Sequence, residues 1–429
     1  MMLAAAILFG LSQDPAAALA EAVDRRDAGA RRSAALALAL RKDVSLEEWL
    51  AAAAGFRPAP GGPDSPGAHR VQVDLSVLGV SESTTIHVYL PANYDAARSA
   101  PLLLAFHGAG GEGSSMIAEW RATADALGAL ICAPTDPHAD GGYAFTERER
   151  AAALAALRWM RRHYDVDENR VHLTGSSRGG HLAWDLGLRY PDLWASVAPC
   201  IGGPTFVVTG GRNNLRYCEN LASVPIRDLQ GADDDPKLLV NLRIAMGRLR
   251  AAGAVDAQIL EQAGLGHGYE RAAVDWIAFF GAARRDPFPE KMRWRMAWSD
   301  PARLGWARVE RYEKEVKESF EIQVGAGDWD AWDHERKVRH ILQMADDRTA
   351  EIRVERAADG LLRAEGDRVQ RAALLLPAAY LALQPKVTVE AGGKTKRLQP
   401  RATAKVLLLD FAERFDRSFL PVAEVDLDF

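Results

Sequence analysis

Between residues 71 and 280 the sequence alternates short strand-like runs with longer runs of helical spacing. The strand-like runs are rich in Val, Leu and Ala, and the helical runs repeat apolar residues every three or four positions. Such alternation predicts a mostly parallel sheet with helices on both faces. The predicted strands are 71–77, 85–90, 101–106, 129–133, 170–173, 195–198, 224–229 and 257–260, and the predicted helices include 148–163, 179–190, 237–252 and 272–280.

A helical segment and a linker precede this α/β region. Residues 13–67 comprise both: residues 14–56 are rich in Ala, Leu, Arg and Glu, and Ser45 and Glu48 have the spacing of a capping box. The segment ends in a linker at 57–67 that is punctuated by Pro and Gly. We therefore expect a short helical segment followed by an α/β domain at 68–284.

The alternation of strand-like and helical runs ends after residue 284. Pro287 and Pro289 interrupt the chain, and short strand-like runs then follow one another, joined by turns at 358–360 and 391–393. At roughly 150 residues per domain, 429 residues allow about three domains. We expect residues 285–429 to form a β-rich C-terminal domain of antiparallel strands.

The N-terminus is apolar up to Leu11, but it is far shorter than the roughly 18 residues of a membrane-spanning helix. Gly10 and Ser12 suit cleavage before Gln13, and no Lys or Arg precedes the apolar run. Residues 1–12 are interpreted as a signal peptide, which implies a periplasmic or extracellular protein. The alternative is an apolar first helix in a cytoplasmic protein, and neither interpretation includes an integral membrane segment.

Charge and cysteine content exclude several classes of function. A net charge of −5 offers no positive field for nucleic acid, so no nucleic-acid partner is expected. The three cysteines, Cys132, Cys200 and Cys218, contain no C-x-x-C pair. One Cys200–Cys218 bridge is an alternative to buried free thiols, which we favour. No metal site is expected, because four histidines lack acidic partners at ligand spacing: His87, His107, His163 and His172.

The pentapeptide Gly175-Ser176-Ser177-Arg178-Gly179 stands between a predicted strand and a predicted helix. This is the context of a nucleophile elbow, in which a serine occupies a tight turn and its neighbours must be small. The helix N-terminus favours a developing oxyanion, and the backbone N–H of Arg178 is one expected donor. The Arg178 side chain is interpreted as a contact for an acidic substrate group or as a surface arginine.

A second glycine-rich loop supplies the other expected oxyanion donor. His107-Gly108-Ala109-Gly110-Gly111 follows the strand at 101–106, where this architecture places that donor. The backbone N–H groups of Ala109 and Gly110 are the candidates.

A nucleophilic serine needs a base and an acid, which should follow it in the order Asp or Glu, then His. His267 lies in the loop Gly264-Leu265-Gly266-His267-Gly268, just past the strand at 257–260. His334 and His340 lie in charged sequence further on and are interpreted as solvent-exposed. The acid is expected after the strand at 224–229, where Asp233, Asp234 and Asp235 are adjacent, and one of them is expected to cap the next helix. Spacing alone does not choose among the three.

From about residue 71 to 280 the chain resembles the α/β-hydrolase superfamily, particularly its esterase and prolyl-oligopeptidase-like branches. The acid loop of that family reads His-Gly-x-x-Asp. The resemblance therefore selects Asp234, three positions after Gly231, although Gln230 stands where the family has histidine. Asp233 and Asp235 remain as alternatives.

The resemblance also implies roles for the other residues. Ser177 is implied to be the nucleophile, His267 the general base and then acid, and Ala109 with Arg178 the oxyanion hole. The expected protein is a serine hydrolase that cleaves small-molecule or carbohydrate-linked carboxylic esters through an acyl-enzyme, without a cofactor. A prolyl-oligopeptidase-like serine peptidase and a non-catalytic binding protein on a hydrolase fold are the alternatives.

Overall fold

A computed structural model describes residues 12–136, 140–204, 213–298, 302–325 and 327–429. Residues 1–11, which make up nearly all of the predicted signal peptide, lie outside these ranges. Within them, no helix has both the length and the apolar character needed to cross a membrane.

Three helices begin the described chain: α1 (Pro15–Val23), α2 (Ala28–Leu38) and α3 (Leu46–Ala54). Polar side chains cap each of them, which explains where they start. Asp14 accepts from the Ala17 N–H, and Asp27 accepts from the Ala30 N–H. The predicted capping box of α3 is confirmed, since Ser45 and Glu48 each accept from the other's backbone N–H.

The α/β region contains one eight-stranded sheet. Its strands in chain order are β1 (Gly67–Asp74), β2 (Ser83–Leu90), β3 (Ala100–Phe106), β4 (Leu130–Thr135), β5 (Val166–Ser176), β6 (Ser196–Cys200), β7 (Ile226–Gly231) and β8 (Ala257–Gln262). They lie in the sheet in the order β1-β2-β4-β3-β5-β6-β7-β8. Strand β2 is antiparallel to its neighbours β1 and β4, and the pairs from β4 to β8 are parallel.

Helices cover both faces of this sheet: α4 (Gly113–Leu127), α5 (Glu147–His163), α6 (Arg178–Arg189), α7 (Pro236–Ala251) and α8 (Trp276–Ala282). Alternate residues of β3 point to opposite faces, as strand geometry requires. Leu102 and Leu104 share a core with α5, α6 and α7, whereas Leu103 and Ala105 share one with α4 and α8. The strand order and the two helical layers are those of the α/β-hydrolase fold, so the predicted fold class is confirmed.

The first predicted strand starts and ends earlier than expected. It was predicted over 71–77, but β1 ends at Asp74, whose carboxylate accepts from the Ser76 N–H at 2.8 Å. This local hydrogen bond starts a 3₁₀ turn at Leu75–Leu78 and removes those residues from the sheet.

The C-terminal region contains two sheets around a common apolar core. One sheet consists of β10 (Ala302–Leu304), β11 (Ala307–Tyr312), β14 (Val369–Pro377) and β17 (Pro421–Asp428), in that order. The other has the order β16-β15-β13-β12-β9 and consists of β9 (Lys291–Met296), β12 (Ala350–Arg356), β13 (Leu361–Asp367), β15 (Val387–Ala391) and β16 (Lys394–Leu398).

Helices accompany these sheets: α9 (Asp328–Ala331), α10 (His334–Asp346), α11 (Ala378–Leu383) and α12 (Ala404–Arg414). The expectation of antiparallel strands is wrong for one pair, because β13 and β15 are parallel. Between them the chain runs through β14 in the other sheet and through α11. This excursion acts as the crossover that parallel neighbours need.

The N-terminal helices do not stand alone. Their apolar faces share a core with α12, where Trp49 and Phe56 are buried together with Phe411 and Phe415. The beginning and the end of the chain therefore form one helical layer, which distance in sequence concealed.

The three cysteines are free and buried, as we favoured, and Cys200 and Cys218 do not form a bridge. Burial raises the pKa of each thiol. The thiols are therefore small buried groups and not reactive thiolates.

Candidate active site

The register of the parallel strands brings several strand ends to one edge of the sheet. Phe106 pairs with Gly175, Ser176 with Cys200, and Gly231 with Gln262. The loops after β3, β5, β7 and β8 therefore leave the sheet at its carboxyl edge, which is the usual place for a site in an α/β fold.

Ser177 occupies the turn between β5 and α6 in a strained backbone conformation. Its φ is +55° and its ψ is −117°, a region that side chains other than glycine rarely adopt. The Ser177 N–H donates to the Cys200 carbonyl at 2.8 Å, and its carbonyl accepts from the His181 N–H. These bonds hold the turn between β6 and the new helix, so that the hydroxyl projects from the sheet edge.

Glycines allow the turn to be this tight. A β-carbon at Gly175 would lie 2.4 Å from the Gly179 carbonyl oxygen, and one at Gly179 would lie 2.1 Å from the Phe106 carbonyl oxygen. Neither position has room for a side chain, so both must be glycine, as the nucleophile elbow requires.

His267 meets the Ser177 hydroxyl. Its Nε2 lies 2.8 Å from Ser177 Oγ, and its Nδ1 lies 2.9 Å from Asp234 Oδ2 and 3.1 Å from Oδ1. Because carboxylate oxygens only accept, Nδ1 carries the proton, and the Nε2 lone pair faces the serine hydroxyl. Asp234 is almost buried, with 6% of its side chain exposed, whereas the His267 side chain is 54% exposed.

The two neighbouring aspartates are directed elsewhere. Asp235 caps α7 by accepting from the Lys237 N–H at 2.8 Å. Asp233 is exposed, and its backbone N–H donates to the Leu265 carbonyl. The structure thus brings Asp234 to His267, and it gives Asp235 the capping role expected of one of the three.

Gln230, which stands in the position of the family's histidine, is fully buried below the acid loop. Its Nε2 donates to the Gly202 carbonyl at 2.9 Å and to Asp228 Oδ1 at 2.7 Å. Asp228 also accepts from Trp184 Nε1, and burial raises the pKa of Asp228 to about 8. Gln230 therefore links the end of β7 to the segment after β6, a structural function that the motif did not predict.

The loop after β3 runs beside the elbow. A β-carbon at Gly108 would lie 3.5 Å from the Ser176 carbonyl oxygen and 3.6 Å from Ser177 Cβ. The Gly111 N–H donates to the Gly108 carbonyl, and this turn places Ala109 and Gly110 at the exposed rim. The Arg178 N–H belongs to the first turn of α6, where backbone N–H groups have no partner within the helix.

The expectation for the Arg178 side chain is wrong. It is buried, with 4% of its area exposed, and its Nη2 lies 2.7 Å from Asp136 Oδ2 and 2.7 Å from Glu149 Oε1. A buried guanidinium needs such compensation, so these two carboxylates hold the side chain that was predicted to face solvent or substrate.

Two residues beyond the predicted set fasten the histidine loop to α4. The Tyr269 hydroxyl, two residues after His267, donates to Glu119 Oε1 at 2.7 Å. Arg271 lies 4.1 Å from the ring centroid of Trp120 and 3.7 Å from Glu119. No motif marks these residues, because their partners are about 150 positions away in the sequence.

The other histidines have structural environments. His172, which is 1% exposed, contacts Ser196 Oγ at 2.9 Å, and burial lowers the pKa of His87, His107, His163 and His172. His334 and His340, which were interpreted as solvent-exposed, are half-buried: His334 Nε2 lies 3.2 Å from Asn241 Oδ1 on α7, and His340 Nε2 lies 2.7 Å from the Gln323 carbonyl oxygen. Among the described residues, no three His, Cys, Asp or Glu side chains group as metal ligands.

Residues 79–202, which include the proposed nucleophile and oxyanion loops, match the Esterase family, described as "Putative esterase". A bifunctional acetylxylan esterase/xylanase of Neocallimastix patriciarum is 27% identical over 158 residues, which are 35% of this chain and 21% of that protein. The chain thus spans about a fifth of the length of the curated relative that it matches.

Several solved esterase structures are similar to this chain. A thermostable esterase is 22% identical with a TM-score of 0.39, covering 50% of this chain and 60% of that one. A thermophilic esterase from the Planctomycetes species Thermogutta terrifontis is 18% identical with a TM-score of 0.39, covering 51% and 93%. A feruloyl esterase module from Clostridium thermocellum is 15% identical with a TM-score of 0.38, covering 53% and 94%. Residues 79–202 thus match an esterase family model, and the strand order of the sheet that contains them is that of the α/β-hydrolase fold.

Proposed function

We propose that this protein is a serine hydrolase that cleaves carboxylic esters with Ser177, His267 and Asp234. The observation that carries the proposal is the continuous contact from Ser177 Oγ to His267 Nε2 at 2.8 Å and from His267 Nδ1 to Asp234 Oδ2 at 2.9 Å. Three loops distant in sequence thus bring together a nucleophile, a base that can take its proton and a carboxylate that orients the base. The match of residues 79–202 to an esterase family supports the same chemistry.

In the first half of the reaction, Ser177 Oγ attacks the ester carbonyl carbon while His267 Nε2 takes the hydroxyl proton. Asp234 stabilises the imidazolium that forms. The tetrahedral intermediate then collapses, the bond to the alcohol oxygen breaks, and His267 returns the proton to the leaving alcohol. The acyl group remains as an ester of Ser177.

In the second half, His267 takes a proton from water, which attacks the acyl-enzyme. The carboxylic acid leaves, and His267 returns the proton to Ser177 Oγ. In both halves the negative oxygen of the tetrahedral intermediate accepts from the Arg178 N–H and from the Ala109 or Gly110 N–H. These donors belong to α6, which begins directly after Ser177, and to the loop after β3, whose Gly108 lies beside Ser176 and Ser177.

The substrate class that we propose is an ester of a small alcohol or of a carbohydrate hydroxyl. The carbohydrate case is supported by the relative described as a bifunctional acetylxylan esterase/xylanase, which is 27% identical over 35% of this chain. Nothing in the reaction requires a cofactor, because every proton transfer is assigned to a side chain of the protein.

Two measurements test the proposal. The first is turnover of p-nitrophenyl esters, acetylated xylo-oligosaccharides, methyl ferulate and dipeptidyl anilides by the full chain. We expect ester turnover that falls by at least about 10³-fold in Ser177→Ala, because the nucleophile is lost. Preference for the anilides would replace the esterase with a peptidase.

The second measurement is covalent labelling by a fluorophosphonate. We expect labelling of the wild type and of Ser176→Ala, the control in the same turn, because His267 contacts the Ser177 hydroxyl. Ser177→Ala should not be labelled. Absence of labelling in the wild type would favour a non-catalytic binding protein on this fold.

A further inference from the structure

Both loops that carry the proposed oxyanion donors contact a single residue, Asp136. This residue follows the last residue of β4 and is half-buried. Its backbone N–H reaches the loop after β3, and its carboxylate reaches the first residue of α6. The sequence did not single it out, because it belongs to no motif.

The backbone contact is made through His107. The Asp136 N–H donates to His107 Nε2 at 3.0 Å, so Nε2 is the acceptor and Nδ1 carries the proton. His107 Nδ1 then donates to the Gly108 carbonyl at 2.7 Å. Burial lowers the pKa of His107, which maintains this neutral form. The Gly108 carbonyl also accepts from the Gly111 N–H, so His107 fixes the turn that contains Ala109 and Gly110.

The side-chain contact is made through Arg178. Asp136 Oδ2 lies 2.7 Å from Arg178 Nη2 in a pair whose side chains are 15% and 4% exposed. Little water can screen an ion pair at this depth. The guanidinium also lies 5.7 Å from the ring centroid of Tyr143. Arg178 is the first residue of α6, so holding its side chain holds the backbone N–H that is the other proposed donor.

We propose that Asp136 is a positioning residue that sets the distance between the two oxyanion donors. This inference rests on the proposed function. The donors belong to loops about 70 positions apart, and a site of this kind works only when its groups are held within about 0.5 Å of their productive geometry. Asp136 holds one loop by its main chain and the other by its carboxylate, so a weaker carboxylate contact lets the Arg178 N–H move relative to a loop that the main-chain contact still holds.

Glu149 provides a matched comparison. It contacts the same Arg178 Nη2 at the same 2.7 Å, and it also completes the capping box of α5 with Thr146. A purely structural contribution would therefore make the loss of the Glu149 charge at least as damaging as the loss of the Asp136 charge. Among the described residues Glu149 has no bond to His107, so, unlike Asp136, it does not connect Arg178 to the loop after β3.

The test compares Asp136→Asn with Glu149→Gln in the full chain. For each variant, kcat and KM are measured on a p-nitrophenyl ester, together with the melting temperature. The inhibition constant of an arylboronic acid, which adds to the serine hydroxyl as a tetrahedral adduct, reports the oxyanion hole itself. Complete loss of one donor costs about 10² to 10³ in kcat, so a displaced donor should cost about 10-fold or more.

We expect Asp136→Asn to lower kcat by about 10-fold or more at nearly constant KM. The inhibition constant of the boronic acid should rise by a similar factor. Glu149→Gln should lower the melting temperature at least as much but kcat much less. If Asp136→Asn does not fold, Asp136→Glu replaces it in the test. This variant keeps the charge but shifts it by one methylene, so it should show a smaller loss of kcat, again at nearly constant KM.

Equal losses of kcat in the two variants, or unchanged affinity for the boronic acid in Asp136→Asn, would overturn this inference alone. A rise in KM at constant kcat would also overturn it, because a displaced oxyanion donor acts on the transition state. Absence of Ser177-dependent hydrolysis in the wild type would instead overturn the proposed function together with this inference.

Discussion

Gly231 lies directly against the backbone of Gly266. A β-carbon added to Gly231 would lie 1.8 Å from the Gly266 carbonyl oxygen and 2.4 Å from that of Leu265. Gly231 ends β7, three residues before Asp234, and Gly266 immediately precedes His267. The loops that present the proposed acid and base are therefore packed main chain against main chain, and this approach allows the two side chains to meet.

Gly231→Ala should separate the two loops and lower kcat by about 10²-fold, the loss expected when catalytic groups move by about 1 Å. Steady-state kinetics on a p-nitrophenyl ester checks this expectation. Gly247→Ala is the control, because a β-carbon at this exposed position of α7 would meet no atom within 4 Å. It should raise the free energy of unfolding by about 0.5–1 kcal/mol and leave kcat unchanged. Wild-type kcat in Gly231→Ala would show that the loops tolerate separation.

Asp234→Asn should lower kcat by about 10⁴-fold, because an amide at this position no longer selects the tautomer of His267 that accepts the serine proton. Asp235→Ala should instead cost about 1 kcal/mol in the free energy of unfolding through loss of the α7 cap, with kcat close to the wild-type value. Kinetics and urea denaturation of both variants separate the two roles. A severe loss of kcat in Asp235→Ala with full activity in Asp234→Asn would reassign the acid.

The buried imidazole of His172 should make the protein less stable in acid. Burial lowers the pKa of His172 from 6.5 to about 3. Between these values the unfolded chain binds a proton that the folded chain excludes, so the free energy of unfolding falls as pH falls from 6.5 toward 3. The slope from one such group is about 1.4 kcal/mol per pH unit.

His172→Gln should remove this contribution, because glutamine has no proton to gain. Urea denaturation from pH 4 to pH 7 should therefore show a shallower loss of stability for the variant than for the wild type. The other histidines with lowered pKa act in the same direction and remain in both proteins. Parallel curves for the two proteins would mean that His172 is not kept neutral by the fold.

A buried ion pair joins the segment after α8 to the segment after α12. Arg285 Nη1 lies 2.7 Å from Asp416 Oδ2, and the two side chains are 4% and 1% exposed. Asp416→Ala removes the carboxylate from a guanidinium that stays buried, which should lower the free energy of unfolding by about 3–5 kcal/mol. Chemical denaturation of the full chain measures this loss.

The exposed pair between Arg243 and Glu261 is the control for that experiment. Its N–O distance is also 2.7 Å, but its side chains are 61% and 33% exposed. Glu261→Ala should cost about 0–1 kcal/mol, since water screens the pair. Similar losses in Asp416→Ala and Glu261→Ala would show that burial does not control the strength of these pairs.

Several parts of the site could be predicted from local sequence. Gly175 and Gly179 mark the elbow because a tight turn between strand and helix excludes side chains, and this requirement is visible in five consecutive residues. His267 could be selected because a loop just past the last predicted strand of the sheet lies at the same edge as the elbow. The residues alone left the choice among Asp233, Asp234 and Asp235 open, because neighbouring residues in a loop direct their side chains to different sides.

Other features were hidden from the sequence. Arg178 was expected to face solvent or substrate, yet its side chain is buried and paired with two carboxylates. These belong to Asp136, directly after β4, and to Glu149 in α5. Tyr269 and Glu119 hold the histidine loop across about 150 positions. The parallel pairing of β13 and β15 depends on an excursion through the other sheet, which local patterns do not record.

The sequence by itself determined the alternation of strands and helices, the strained turn at Ser177 and the residues available as nucleophile, base and acid. These properties depend on periodicity and on steric limits that act over a few residues. Only the tertiary structure decided which aspartate meets His267, what neutralises Arg178 and how Asp136 contacts both oxyanion loops. Such contacts depend on the directions of side chains and on the distances between groups that strand order brings together. The order of the residues along the chain specifies neither for groups that are far apart in sequence.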